Sequence, residues 1–165
     1  KEMLRIALKN KPSFVCIVPE NRKEITTEGG LNVKKNNKKI SMIVNRLNRN
    51  KIRTSLFVNP NLKDIKLAKK IGTKCIEIHT GKISNKIKNK QNFVNDLENI
   101  RKCAKLANLL NLEVHAGHGI DYKTAKILSK INEIEEFNIG HFIIGESINE
   151  GLKNVIKKLK KIINK

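Results

Sequence analysis

The residues best suited to chemistry cluster around two Gly-His pairs in the second half of the chain. His118 stands between Gly117 and Gly119, directly after the alternating run 112–116. Because glycine allows positive φ and a close approach of the backbone to a ligand, we expect a turn that aims this histidine at a site. An imidazole titrates near neutral pH, so His118 is the predicted general acid or base. The alternative is a structural histidine that caps the next helix.

The second pair, Gly140-His141, comes one helix later, within the run 137–145. His141 either positions an anion or is only a turn residue. The spacing of the cysteines and histidines predicts no metal site, and the sequence contains no nucleophile elbow. Backbone N–H groups at the ends of the last two strands are expected to bind a phosphate group, namely those of Gly117, Gly119, Gly140 and Gly145.

Glu77 is the acidic residue with the clearest case for a role. In the predicted strand 75–79 it shares a face with Cys75 and His79, while the two isoleucines between them point the other way. If the isoleucines face the helices, Glu77 points into the barrel. An unpaired buried carboxylate is costly, so we expect Glu77 either to act in catalysis or to belong to a satisfied polar network.

The stretch 20–37 shows neither helical nor strand periodicity and contains the run Thr26-Thr27-Glu28-Gly29-Gly30. A loop of this length in a compact domain is more often functional than not. Thr26 and Glu28 are therefore candidate substrate contacts. The alternative is that the threonine pair makes only local hydrogen bonds.

These residues need elements that bring them together, and the sequence alternates apolar runs typical of strands with runs at helical spacing. Asn61 and Asp121 are predicted helix N-caps, and Gly72 is a predicted C-cap. The polar and basic piece Lys82–Gln91 is expected to be a solvated loop. The predicted strands are 14–18, 54–58, 75–79, 112–116 and a last one that includes Phe137.

Five strands alternating with helices predict an α/β fold with a parallel sheet. The sheet is either open and doubly wound or part of a (β/α)8 TIM barrel. An open nucleotide-binding sheet usually carries Gly-x-Gly-x-x-Gly after its first strand, and none is present. All four histidines are expected at or near the carboxyl ends of strands, and none in a helix. Because barrels gather functional residues at those ends, this distribution favours the barrel.

Composition bounds the function further. At 165 residues the chain, 1–165, is predicted to be a single domain. A net charge of +20 raises nucleic acid as a partner, but lysines are spread over every predicted helix and only 4% of residues are aromatic. We therefore consider nucleic-acid binding unlikely and expect the charge to help collect phosphorylated substrates. No run of about 18 apolar residues occurs, so no membrane span is predicted.

Three cysteines, Cys16, Cys75 and Cys103, are expected to be buried, reduced thiols. Reduced thiols favour the cytoplasm. The chain starts at Lys1 and not at a methionine, which suggests a segment of a longer protein or a processed start.

Four motifs occur together and in one order along almost the whole chain. They are the run 14–20 with 25–31, then Ile76-Glu77-Ile78-His79-Thr80-Gly81, then Ala116-Gly117-His118-Gly119, then 138–145. In order and spacing they resemble the pyridoxine 5'-phosphate synthase family. The resemblance implies a barrel enzyme without metal or organic cofactor. It would condense 1-deoxy-D-xylulose 5-phosphate with 3-amino-2-oxopropyl phosphate to give pyridoxine 5'-phosphate, phosphate and water.

The resemblance also implies a role for each matching residue. Thr26 would bind the deoxyxylulose phosphate, Glu77 would stabilise charged intermediates, and His118 would be a proton donor. Gly119 and the pair Gly140-His141 would hold the aminooxopropyl phosphate. The family further implies a homo-oligomer, an octamer among its members.

Two departures from the family pattern matter. The family has three further strands before the position of Lys1, about 75 residues by the usual barrel length, so we expect an N-terminally incomplete barrel that is inactive alone. His115 stands where the family more often has a small or amide residue. Two other functions stay open: another phosphate-binding barrel enzyme, such as an isomerase or aldolase, and a lysine-rich nucleic-acid-binding barrel remnant.

Overall fold

Five parallel strands form one sheet in the computed structural model, which describes residues 2–19 and 29–164. Each strand pairs with its neighbour in the chain, in the order β1-β2-β3-β4-β5. In a doubly wound sheet the order of the strands reverses at a switch point, whereas in a barrel each strand lies beside the one before it in the chain. The predicted parallel sheet of barrel type is confirmed. The strands are β1 (Phe14–Ile17), β2 (Arg53–Val58), β3 (Cys75–His79), β4 (Glu113–Gly117) and β5 (Ile134–Asn138).

Helices connect these strands, and within the described residues there are eight. Most of them pack against the face of the sheet that carries Ile76 and Ile78, both fully buried. Burial of one such side chain stabilises the fold by about 1.5–3 kcal/mol. The helices are α1 (Glu2–Asn10), α2 (Asn37–Arg49), α3 (Leu62–Ile71), α4 (Gly81–Lys88), α5 (Val94–Leu109), α6 (Tyr122–Leu128), α7 (His141–Glu150) and α8 (Leu152–Ile163).

The predicted helix ends are confirmed. The Asn61 side chain accepts a hydrogen bond from the N–H of Lys63 at 2.9 Å, and the Asp121 side chain accepts one from the N–H of Thr124 at 2.7 Å. Gly72 ends α3 with φ of 90°, a left-handed conformation that glycine adopts without strain. These caps fix where each helix leaves the sheet.

The prediction of a solvated loop at Lys82–Gln91 is wrong. Residues Gly81–Lys88 form α4, and Ile83, Ser84 and Ile87 are buried on its inner side. Two isoleucines four residues apart are enough for an apolar stripe on so short a helix. The lysines of this segment hid that stripe.

The end of the sheet also differs from the sequence prediction. Strand β5 stops at Asn138, and His141 begins the ten-residue helix α7. The expectation that no histidine lies in a helix is therefore wrong for His141. A short apolar run such as 142–144 cannot be assigned to strand or helix by periodicity alone. Here it belongs to a helix whose Ile144 is 66% exposed.

The cysteines are free thiols, as predicted: Cys75 and Cys103 are buried, and Cys16 is half-buried. Among the described residues no helix is long and apolar enough to cross a membrane.

Candidate functional site

A cavity of about 930 Å³ opens at the carboxyl ends of the strands. It is lined by five of the six residues to which the resemblance gives a role, drawn from β3 and from the segments that follow β4 and β5. The sixth, Thr26, lies outside the described residues, as does Glu28. The five are Glu77, His118, Gly119, Gly140 and His141.

His118 lies in the turn after β4 with φ of 81°, a conformation that non-glycine residues seldom adopt. The turn is held by Thr80, whose hydroxyl donates to the carbonyl oxygens of Gly117 at 2.8 Å and of His118 at 2.7 Å. The N–H of Thr80 also donates to the carbonyl of Gly117, at 2.9 Å. These bonds tie the end of β3 to the turn and hold the imidazole at the cavity.

The ring of His118 packs on the ring of His79, with centroids 5.0 Å apart and planes inclined by 34°. Phe57 meets the His79 ring edge-on, at 5.4 Å between centroids. Burial, together with the neighbouring His118, lowers the pKa of His79 to about 4. His79 is therefore neutral near pH 7, and the His118 ring packs against an uncharged imidazole.

Glu77 lies on the face of β3 that the helices do not cover, as predicted. Its Oε2 accepts a hydrogen bond from Nδ2 of Asn138 at 3.0 Å and a weak one from the Cys16 thiol at 3.6 Å. Burial raises the pKa of Glu77, while these two bonds act in the opposite direction. Burial also raises the pKa of Cys16 to about 12, so its thiol stays protonated and can donate. Two donors thus hold one oxygen of this carboxylate.

Two glycines beside these groups leave room that a side chain would occupy. A Cβ at Gly117 would overlap Oε1 of Glu77, so only glycine lets the carboxylate cross β4 there. At Gly119 φ is 73°, and a Cβ would lie 3.1 Å from that of Ser84. The backbone after His118 can therefore turn tightly against α4.

The second Gly-His pair lies at the amino end of a helix. Gly140 is the N-cap of α7 and His141 its first residue, so the unpaired N–H groups of the first turn lie beside the cavity. Such a helix end suits an anion. Gly145 lies in the middle of α7, so the expectation that it sits at a strand end is wrong.

The comparisons with known proteins agree with this geometry. The family model for pyridoxal phosphate biosynthesis protein PdxJ matches residues 1–165. The chain belongs to this family. It is 61% identical to pyridoxine 5'-phosphate synthase of Pelagibacter ubique strain HTCC1062, over 100% of this chain and 69% of that protein. It is 44% identical to the synthase of Prochlorococcus marinus strain MIT 9211, over 99% of this chain and 66% of that protein.

Other relatives of the same name match to a similar extent, such as that of Zymomonas mobilis at 43% identity over 99% of this chain and 63% of that protein. The chain thus spans about two thirds of the length of these synthases. Among solved structures, the tryptophan synthase A-subunit from Pyrococcus furiosus is similar, with a TM-score of 0.59 and 15% identity. That likeness covers 99% of this chain and 60% of the other, and it concerns the fold alone.

The residues that line the cavity of this PdxJ-family chain and that sequence reasoning missed include Asn138 and Lys88. Lys88 was missed because its segment was assigned to a loop. A helix at this position would have put Lys88 one turn after Ser84 and on the same face. Asn138 ends β5 directly before the Ile139-Gly140 pair. A polar residue at the end of a barrel strand is the pattern that marks functional positions.

A cluster of possible metal ligands lies at the other end of the strands. The donor atoms of Cys75, Glu113 and His115 all lie within 4.8 Å of one another. Sequence spacing did not reveal this cluster, because its members come from neighbouring strands in register. The guanidinium of Arg53 already pairs with Glu113, whose Oε1 also lies 2.8 Å from Nε2 of His115. An internal cation therefore already neutralises the carboxylate that a metal would need.

Proposed function

We propose that this chain forms part of a pyridoxine 5'-phosphate synthase and carries one portion of its active site. The reaction condenses 1-deoxy-D-xylulose 5-phosphate with 3-amino-2-oxopropyl phosphate, giving pyridoxine 5'-phosphate, phosphate and water. One observation carries the proposal beyond family membership. Five residues that the motifs selected come from three separate segments of the chain, yet they line a single cavity at the carboxyl ends of the strands.

His118 is the proposed proton donor. Ring closure with loss of water requires several proton transfers, and an imidazole serves them near neutral pH. Its turn conformation, its ties to Thr80 and the neutral His79 beneath it hold the ring in place before substrate arrives. A preorganised donor avoids the entropy cost of orienting it during the reaction.

Glu77 is the proposed stabiliser of positively charged intermediates. The condensation of an amine with a ketone passes through cationic nitrogen species, and a carboxylate beside them lowers their free energy. Partial burial strengthens that effect because the local dielectric constant is low. The hydrogen bond from Asn138 favours the ionised form that this role needs.

Gly119, Gly140 and His141 are the proposed binding groups for the phosphate of the aminooxopropyl substrate, and Thr26 for that of the deoxyxylulose substrate. The amino end of α7 supplies N–H donors and the positive end of a helix dipole. Lys88 adds a positive charge at the cavity wall. The net charge of +20 would raise the local concentration of both phosphorylated substrates.

Activity of the complete protein with both substrates, followed by the appearance of pyridoxine 5'-phosphate, tests the proposal. We expect His118→Ala to lower turnover by about a hundredfold or more, with an unchanged far-ultraviolet circular dichroism spectrum. Added imidazole should restore part of the lost rate in His118→Ala and none in the unmodified protein. Turnover unaffected by the substitution would refute the role of His118, and no product from the unmodified protein would refute the function.

A cytoplasmic location and a homo-oligomeric state are further parts of this proposal, supported by the thiols and by the family. Family membership over residues 1–165 favours the synthase over both alternatives, the isomerase or aldolase and the nucleic-acid-binding remnant. A DNA affinity rivalling that for the phosphorylated substrates at physiological salt would favour the remnant instead.

A further inference from the structure

The hydrogen bond between Asn138 and Glu77 joins two strands that are not neighbours. Glu77 lies in β3 and Asn138 in β5, and β4 runs between them. The contact crosses β4 at Gly117, which is the register partner of Asn138. Inward-facing side chains of alternate strands lie in one layer of a barrel, so a contact of this kind forms where the strand between them leaves room.

Gly117 is what opens the path. A Cβ at this position would overlap Glu77 Oε1 and lie 2.9 Å from the carboxyl carbon and 3.3 Å from Cβ of Asn138. Any other residue would therefore separate the amide from the carboxylate. The three residues form one unit, in which the missing side chain of β4 lets the groups of β3 and β5 meet.

The two hydrogen bonds to Glu77 found among residues 2–19 and 29–164 both end on the same oxygen, Oε2. One comes from the Asn138 amide and the weaker one from the Cys16 thiol. Fixing one oxygen of a carboxylate fixes the plane of the group and therefore the direction of the other oxygen. Both Glu77 and Asn138 line the cavity, so this orientation is set at the place where substrate would bind.

We propose that Asn138 is a positioning residue that acts through Glu77, fixing the carboxylate across Gly117 so that Oε1 faces the reacting atoms. The inference rests on the proposed function, in which Glu77 stabilises charged intermediates. Asn138 need not touch substrate for this role. An amide suits it because its N–H₂ group is a donor that stays neutral and adds no charge beside the carboxylate.

The charged and titratable groups around Glu77 make its environment sensitive to the loss of this donor. Cys16 of β1, His115 of β4 and Glu136 of β5 influence its ionisation, and burial opposes it. Loss of the Asn138 amide removes a hydrogen bond to the charged form and so raises the pKa of Glu77. The acid limb of the kcat profile should then move to higher pH.

Steady-state kinetics of the complete protein across a pH series tests this role. Asn138→Leu keeps the approximate shape of the side chain and removes the donor, and Asn138→Ala removes both. For each we expect kcat to fall about tenfold, KM to change less than about twofold, and the acid limb to move to higher pH. Asn154→Ala is the matched control, because it removes an amide hydrogen bond on α8, to the carbonyl of Glu150, far from the cavity.

A double-mutant cycle with Glu77→Gln decides whether Asn138 acts through Glu77. In the Glu77→Gln background, Asn138→Leu should change kcat by less than about twofold, because the group that it positions has lost its charge. Equal losses in both backgrounds would overturn the positioning role.

The cycle also separates this inference from the proposed function. An inactive Glu77→Gln beside a fully active Asn138→Leu would overturn the inference alone. A fully active Glu77→Gln would overturn the role of Glu77 and the inference with it.

Discussion

Gly81→Ala tests how the imidazole of His118 is held. Gly81 is the first residue of α4, and the rings of His79 and His118 both pack against its α-carbon. Its φ is not positive, so alanine brings no backbone strain. The substitution adds a single methyl group and leaves every proposed catalytic and binding group in the chain.

The size of the effect follows from the space available. A Cβ at residue 81 would lie 2.7 Å from Cδ2 of His118 and 2.8 Å from Nε2 of His79, where ordinary contacts are 3.4 Å or longer. Relief of the contact with His118 requires its ring to move by 3.4 minus 2.7, or 0.7 Å. Phe57 packs against the His79 ring and limits its movement away from the second contact. Displacement of a catalytic group by about 1 Å can cost about a hundredfold in rate. We expect turnover to fall about ten- to a hundredfold.

Stability should change much less than rate. Alanine is favoured over glycine in a helix by up to about 1 kcal/mol, and the added methyl costs about 1–3 kcal/mol by overpacking. The expected net loss is about 0–2 kcal/mol, measured by urea unfolding. Turnover is measured on both substrates at several pH values, so that a displaced ring can be told from a shifted titration.

Gly145→Ala is the matched control. Gly145 lies inside α7, and a Cβ there would meet nothing within 4 Å. This variant should gain about 0.5–1 kcal/mol of stability from helix propensity and keep its turnover within about twofold. A folded Gly81→Ala protein with full turnover would refute the idea that packing on Gly81 sets the position of His118.

Three further predictions concern stability. Below pH 6.5 the unfolded chain protonates His79 while the folded protein, with its pKa of about 4, does not, so stability should fall as the pH drops from 6.5 to 4. After allowance for solvent screening this loss amounts to about 1–2 kcal/mol; thermal unfolding across that range should show it, and His79→Phe should abolish this part of the pH dependence. Asn61→Ala removes the N-cap of α3 and should cost about 1 kcal/mol in urea unfolding, an estimate contradicted by a loss below about 0.3 kcal/mol. Arg53→Met leaves Glu113 without its arginine partner and should lower the free energy of unfolding by about 1 kcal/mol. Arg5→Met breaks only an exposed pair with Glu2 and should change the free energy of unfolding by less than about 0.5 kcal/mol.

Much of the fold could be predicted because its elements carry strong local signals. The strands of the sheet are continuous or alternating apolar runs, and Asn61, Gly72 and Asp121 mark helix ends by their own chemistry. Prediction failed where the pattern was short. In α4 two buried isoleucines, Ile83 and Ile87, are the only apolar marks among lysines, and in α7 an apolar run has a largely exposed face. Tertiary packing, not local pattern, decides such segments.

The candidate site divides in the same way. His118, Gly119 and the Gly140-His141 pair could be found because glycine beside histidine at a strand end is a local pattern. Contacts between strands could not be found, since they depend on register. The bond from Asn138 to Glu77 joins residues 61 apart in the chain, and Arg53 of β2 meets Glu113 of β4 across β3. The roles of Thr26, Glu77, His118, Gly119, Gly140 and His141 stay predictions.

The two faces of the sheet divide stability from chemistry. Because side chains alternate along a strand, Ile76 and Ile78 of β3 face the helices while Glu77 between them faces the cavity side. The inner face of a barrel is usually filled with branched apolar residues, but here that face holds Cys16, Glu77 and His115. A buried polar layer is costly unless its groups are hydrogen-bonded or paired.

Polar groups of this layer have partners near both the carboxyl and the amino ends of the strands. On the carboxyl side Asn138 and Cys16 hold Glu77, and on the amino side Glu113 pairs with Arg53 and contacts His115. The apolar helix-facing side can then supply most of the free energy of folding. Substitutions on the inner face should accordingly change the reaction rate more than the stability of the fold. A one-residue slip in strand register would exchange the two faces of the strand and abolish both folding stability and activity.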